Sequence, residues 1–310
     1  SKGTTCGAPL AAIIENTDVR TGDYDYLSTV PRPGHADFAA WCKWHGRQDA
    51  SGGGQFSGRL TAALCLAGGI AVQALATQEI HIAARLKEVA GIKDDTLAVF
   101  DASPASRLLL SKQISHLHAK QGLPVLNDFA GEKILSTIQE ARNAGDSVGG
   151  LVECVATGIP AGMGSPLFEG LESTIAHAIF SIPAVKGIEF GLGFEAARTR
   201  GSKNNDPYVV QDGEVQPATN NAGGILGGIS TGAPLFFTCA FKPISSISLP
   251  QCSVDLSSNI QTTLEVHGRH DTCTALRAVP VVEAVCALAL LDAELSWPQE
   301  SKRNPYEVGL

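Results

Sequence analysis

The run EKILSTIQEARNAGDSVGGLVECVATGIPAGMGSPLFEGLESTIAHAIFSIPAVKGIEF, residues 132–190, decides what kind of fold this chain can adopt. Ile134, Leu135, Ile138 and Ala141 recur at helical spacing, and Gly145 is placed to end that helix. Residues 150–157 make an apolar run of strand length. Leu167, Leu171, Ile175, Ala178 and Ile179 describe a second helix that must stop before Pro183, and residues 185–190 read as a strand again. Further on the order changes. Three strands follow one another, at 234–240, 247–250 and 262–267, before a last helix at 281–295 whose near-continuous apolar face requires burial. Alternation followed by clustered strands suggests a layered α+β domain instead of a doubly wound parallel sheet. No Pro, Gly and Ser linker divides the chain, so residues 1–310 read as a single domain.

Upstream, residues 10–14 read as a short apolar strand closed by Asn16, Thr17 and Asp18, and residues 23–26 as loop. A helix over 60–76 is apolar on nearly all sides and rich in small residues, so it is expected in the interior with another element packed close against it. Ile80, Ile82, Ala84 and Leu86 alternate and predict a half-buried strand over 79–89. Residues 91–130 lack a clean period and read as a variable region, either loop or an inserted helix. His116 and His118 form an H-x-H pair, but without a third ligand nearby they do not make a metal site.

The 310 residues carry a net charge of −8, which argues against a nucleic-acid or anionic-membrane surface. Any anionic ligand must be caught by a local cluster of Arg and Lys. No uninterrupted apolar run reaches membrane-spanning length. The 8 cysteines are scattered without a C-x-x-C pair, which gives no zinc site and suits buried, reduced thiols of a cytoplasmic protein.

Chemistry concentrates in residues 31–62, PRPGHADFAAWCKWHGRQDASGGGQFSGRLTA. His35 follows a Pro-Gly turn, and Phe38, Trp41 and Trp44 space out one face of a short helix. The glycines at 52–54 lead into a helix opened by Ser57 and Arg59, where free N–H groups favour an anion. The run fits neither G-x-x-x-x-G-K-[ST] nor G-x-G-x-x-G, so it is no phosphate loop or dinucleotide fingerprint of the known kinds.

Four segments in order, RPGHADF with GGGQFSGRLTA, SIPAVKGIEFGLGFEAARTRGSKNND, NNAGGILGGISTGAPL leading into FKPISSI, and GRHDTCTALRAVPVVEA, resemble the chorismate synthase family across essentially the whole chain. The resemblance implies a single-domain, four-layer β-α-β-α sandwich, a homotetramer, and a lyase that eliminates phosphate from 5-enolpyruvylshikimate 3-phosphate to give chorismate. Reduced FMN is implied as cofactor without net redox change. NADPH would enter only as an external or intrinsic flavin reductant.

The same resemblance implies roles for residues. His35 would stand at the flavin N1 and O2 edge, and Asp271 near N5 would relay the proton, tuned by Arg269 and His270. Gln55, Phe56, Ser57, Pro183, Ala184, Gly227, Lys242, Pro243, Ile244, Ser245, Ser246 and Arg269 match flavin contacts. Among them Lys242 and the two serines offer a cation and hydroxyls to a phosphate. Arg32 matches a substrate-binding arginine.

The chain departs from the family pattern in three places. Thr272 stands where Pro is usual, the flavin turn reads QFSG instead of an RSSA-like form, and the opening Gly-x-Ser-His-Gly strand with its arginines is not in the sequence. The expectation is therefore a chain without its leading segment and catalytically poor by itself. The alternative is a non-catalytic flavin-binding or assembly module.

Overall fold

The computed structural model describes residues 6–15, 26–49, 51–101, 103–211, 213–266 and 270–297. In chain order its elements are α1 (Asp37–Trp44), α2 (Thr61–Ala76), β1 (His81–Val89), β2 (Ile92–Lys93), α3 (Pro104–Ala119), α4 (Asp128–Asn143) and β3 (Gly150–Thr157). Next come α5 (Leu171–Ile179), β4 (Val185–Phe190), α6 (Gly201–Asn204), β5 (Tyr208–Gln211), β6 (Glu214–Pro217), β7 (Ile225–Leu226) and β8 (Ile229–Ser230). The chain closes with β9 (Leu235–Phe241), β10 (Gln251–Asp255), β11 (Ile260–Leu264) and α7 (Ala275–Ser296).

Five strands form one antiparallel sheet in the order β2-β1-β3-β9-β4, and three two-stranded ribbons, β5-β6, β7-β8 and β10-β11, complete the described β structure. Helix and strand content are mixed in one domain, as the α+β expectation requires. One face of the sheet, with Ile82, Ala84, Leu86, Val152, Cys154 and Phe237, packs on α2, α5 and α7. The other, with Ala83, Val155 and Phe236, packs on Leu110, Ile114 and Leu117 of α3. β1 is therefore buried on both faces, not half-buried as its alternation predicts. Of the charges that make one face look polar, Arg85 is absorbed internally and Lys87 stays partly exposed. Arg85 is 1% exposed and lies opposite Glu153 on β3, donating to it at 2.9 Å and to Asp94 at 2.7 Å. Lys87 sits 3.2 Å from the same Glu153.

Helix α7 lies at the centre, against the sheet on one side and against α2 on another. Gly68 of α2 meets it so closely that an added Cβ would fall 2.3 Å from the Ala284 Cβ. This is the close packing that the small residues of α2 imply. Gly68→Ala is expected to prise the two helices apart and to cost about 1–3 kcal/mol, readable as a lower urea midpoint with unchanged slope.

The interior expectation for α2 fails on its far side. Leu66 and Ile70 are exposed, and only Gly68, Ala71 and Leu75 are buried. Gly58–Ala76 is long and apolar enough to cross a membrane by length and composition alone, though Thr61 and Gln73 interrupt its apolar run, and its Gly68 face packs on α7.

Other expectations shift more simply. Residues 10–14 form no strand. They are exposed and have no partner strand among the described residues. Residues 16–25 lie outside the described ones. The variable region contains α3, started by Ser103, whose hydroxyl accepts from the Ser106 N–H, with Pro104 in the first turn. His118 is spent on the Ile82 carbonyl at 2.8 Å, and no group of three metal-ligating side chains occurs among the described residues. Leu167 stands outside the second helix in a single 3₁₀ turn. The strand expected at 247–250 lies at Gln251–Asp255, because the Ser248 and Leu249 N–H groups turn to the Gly145 carbonyl. Of the cysteines, Cys154, Cys239, Cys273 and Cys286 are buried thiols, whereas Cys6, Cys42 and Cys252 are exposed.

Candidate active site

Arg32, Pro33, Gly34 and His35 make a turn closed by the His35 N–H donating to the Arg32 carbonyl at 3.1 Å. Pro33 presets its φ, and Gly34 takes φ = 73°, as a Pro-Gly turn of type II demands. The turn delivers His35 just before α1, whose first residue is Asp37. His35 Nδ1 lies 2.5 Å from Asp37 Oδ1. Arg32 donates from Nε to Asp37 Oδ2 at 2.8 Å, from Nη2 to Oδ1 at 2.9 Å, and from its backbone N–H to Oδ2 at 3.0 Å. Burial alone would raise the Asp37 pKa. The bonds from Arg32 and His35 outweigh it and hold the carboxyl far below the usual carboxylate range. Phe56 meets the His35 ring edge-on at 6.3 Å and leans on Trp44 at 6.2 Å.

The residues after β9 close on this turn from the other side. Lys242 donates to the Gly34 carbonyl and, at 3.0 Å, to the Ser245 hydroxyl. Arg32 Nη1 donates to the Ser246 hydroxyl at 3.1 Å. A Cβ at Gly34 would stand 3.2 Å from Ser245 Oγ, a second reason for glycine there. Burial, with Lys186 nearby, lowers the Lys242 pKa. The Lys242 N–H donates to the carbonyl of Ala184 at 3.0 Å, and Ala184 itself is held at φ = 72°. A left-handed alanine beside a site stores of order 1 kcal/mol of strain.

These pieces, with the end of α4 and the start of α7, line one open cleft of about 1870 Å³. Arg32, Arg59, Arg142, Lys186, Lys242 and Arg277 line it against Asp146 and Asp271. A chain of net charge −8 thus gathers a cationic surface in one place, the local cluster that an anionic ligand needs. Asp271 enters from the segment before α7, its carboxylate held by Arg277 Nη2 at 2.9 Å. The Thr272 carbonyl accepts from the Val148 N–H at 2.9 Å and pins that segment to the sheet.

The cleft brings together Arg32, His35, Gln55, Phe56, Ser57, Pro183, Ala184, Lys242, Pro243, Ile244, Ser245, Ser246 and Asp271. Gly227 is not among its lining residues. It turns the β7–β8 hairpin with Gly228, both at positive φ, and glycine is required there by the two-residue turn itself. Arg269 lies outside the described residues. Sequence reasoning missed Asp37, whose signal was its place two residues after His35 at a helix start. It also missed Arg142, Lys186 and Arg277, which nothing local ties to the cleft.

The chain matches the family model described as chorismate synthase over residues 1–295. It is 53% identical to the chorismate synthase of Lancefieldella parvula over 308 residues, 99% of this chain and 80% of that protein. It is 43% identical to that of Dehalococcoides mccartyi over 94% of this chain and 77% of that protein. It is 44% identical to that of Thermococcus kodakarensis over 94% and 78%. A solved structure titled "Crystal Structure of Chorismate Synthase" superposes with a TM-score of 0.66 at 28% identity, covering 84% of this chain and 70% of the other.

Proposed function

Since the chain belongs to the chorismate synthase family, we propose that its cleft holds reduced FMN and 5-enolpyruvylshikimate 3-phosphate side by side, with His35 and Asp271 as the acid–base groups. The reaction is the family's 1,4-elimination: a ring C–H bond and the C–O bond to phosphate break, and chorismate and inorganic phosphate leave with no net redox change. One observation carries the reading. Typical small-molecule pockets are about 300–1,000 Å³, whereas this cationic cleft is about 1870 Å³ and has His35 and Asp271 both on its wall. Two anionic ligands fit such a space.

The donor set suits a flavin phosphate. Ser245 and Ser246 accept from Lys242 and Arg32, so each hydroxyl keeps its own proton to donate, beside the Lys242 ammonium. Gln55, Phe56 and Ser57 on one wall, and Pro183 and Ala184 on another, would flank the rest of the cofactor. Bound and reduced, FMN supplies electron density for the C–O cleavage and a basic nitrogen for the departing proton. NADPH serves only to reduce the flavin, from outside or within the protein. His35 holds or releases a proton at Nε2, since Nδ1 faces Asp37. Asp271 moves the ring proton, its carboxylate oriented by Arg277. A cytoplasmic homotetramer is the assembly we assign, in keeping with unpaired cysteines. The non-catalytic alternative is not favoured, and nothing among the described residues supports weak activity.

The test is anaerobic phosphate release from 5-enolpyruvylshikimate 3-phosphate with reduced FMN, alongside titration with FMN and with NAD. Turnover and FMN binding are expected. Binding of NAD without binding of flavin would sink the reading. Lys242→Ala is expected to weaken FMN about 10- to 100-fold, the worth of hydrogen bonds to a charged group.

A further inference from the structure

We propose that Asp37 is the positioning residue that fixes the tautomer and direction of His35, with Arg32 acting as the anchor of that carboxylate. The proposal rests on the reading of His35 as an acid–base group of the elimination.

Two contacts compete for His35 Nδ1, Asp37 Oδ1 at 2.5 Å and Arg32 Nη2 at 3.1 Å. An unprotonated Nδ1 would set its lone pair against a carboxylate oxygen at 2.5 Å, two acceptors face to face. With the proton on Nδ1 the short contact is a charge-assisted hydrogen bond, and the longer one to Arg32 is only proximity. The tautomer follows. Nδ1 donates to Asp37, and Nε2 is the nitrogen left for a ligand in the cleft.

Asp37 can do this because its own carboxylate is held on both oxygens. Its Oδ2 takes the Arg32 Nε–H and the Arg32 backbone N–H, and Oδ1 takes Nη2–H as well as His35. Its side chain is 16% exposed and that of Arg32 is 7%. Arg32 is in turn tied to the Ser246 hydroxyl at 3.1 Å. Arg32, five residues before Asp37 and 7% exposed, therefore spends most of its donors on protein, not on substrate. Phe56 stands edge-on to the imidazole and limits its swing. The arrangement is a carboxylate–imidazole pair on one short turn, built so that the ring has a single orientation before any ligand arrives.

The experiment begins with the whole wild-type protein labelled with ¹⁵N-histidine. His35 is assigned by the resonance lost in His35→Gln. A proton on Nδ1, far downfield of the amide envelope, is expected. A bare Nδ1 overturns the proposal, and this readout needs neither turnover nor a folded Asp37 variant. In Asp37→Asn that resonance should vanish and kcat should fall roughly 10²- to 10⁴-fold. KM for substrate and FMN affinity should stay within about threefold, and Asp37→Glu should recover part of kcat. A kcat within threefold of wild type in Asp37→Asn, or a KM rise that accounts for the whole loss, overturns it. If the wild type does not eliminate phosphate at all, the family reaction fails as a reading of the cleft, while the ¹⁵N result still decides whether Asp37 holds His35.

Discussion

His35→Ala and Asp271→Ala are each expected to lower kcat by roughly 10²- to 10⁴-fold, the range for loss of a positioned acid–base group. FMN affinity should change far less. The folded state should tolerate both. Removing the imidazole leaves Asp37 with all three Arg32 donors, and removing the Asp271 carboxylate frees an Arg277 side chain that is 76% exposed already. The measurement is anaerobic phosphate release at saturating reduced FMN and substrate, with thermal melts as the control. Near-wild-type turnover in either variant removes that residue from the mechanism. The two losses should also combine to less than their product if both groups serve one rate-limiting step.

The largest expected effect on stability lies on the other face of the sheet. Arg85→Met should cost about 3–5 kcal/mol, because it strands buried carboxylates without their cation. The value should fall toward the low end. Glu153 keeps Lys87 at 3.2 Å, and Asp94 keeps the N–H groups of Leu126 at 2.7 Å and Asn127 at 2.9 Å. Urea unfolding reads the loss directly. A change under about 1 kcal/mol would mean that the ion cluster contributes no more than a surface pair.

How far the sequence could be read depended on where each interaction is satisfied. Strands β3 and β4 were legible to the residue, since their apolar runs are bounded by glycine and proline. The Pro33–Gly34 turn and the helix after it were equally plain, because the signals are local. β1 was misjudged in burial for a non-local reason. Arg85 looks like a solvent-facing residue until Glu153, 68 positions away, is known to lie opposite it. Residues 10–14 looked like a strand because composition reports apolarity and not the partner that would pair with it. Within the cleft, the turn and the Lys-Pro-Ile-Ser-Ser run were each visible, but not that Lys242 donates to Gly34 or Arg32 to Ser246. Gly227 shows the opposite limit: it does not line the cleft, and a two-residue hairpin accounts for its glycine without any ligand. Asp37 carries no signal of its own in the sequence beyond its place two residues after His35, because a first-turn aspartate is ordinary at a helix start.

The central place of α7 has a consequence for how the chain is made. Residues 275–296 are translated after every other described element, yet Gly68 of α2 needs Ala284 against it, and the Ala84 N–H in β1 donates to Glu283 at 3.1 Å. The apolar faces of β1, β3 and α2 therefore lack their α7 cover until the last described element has left the ribosome. Vectorial, piece-by-piece folding from the first residue is closed to such a topology. A chain stopped before α7 is expected to leave those faces exposed and to aggregate instead of folding.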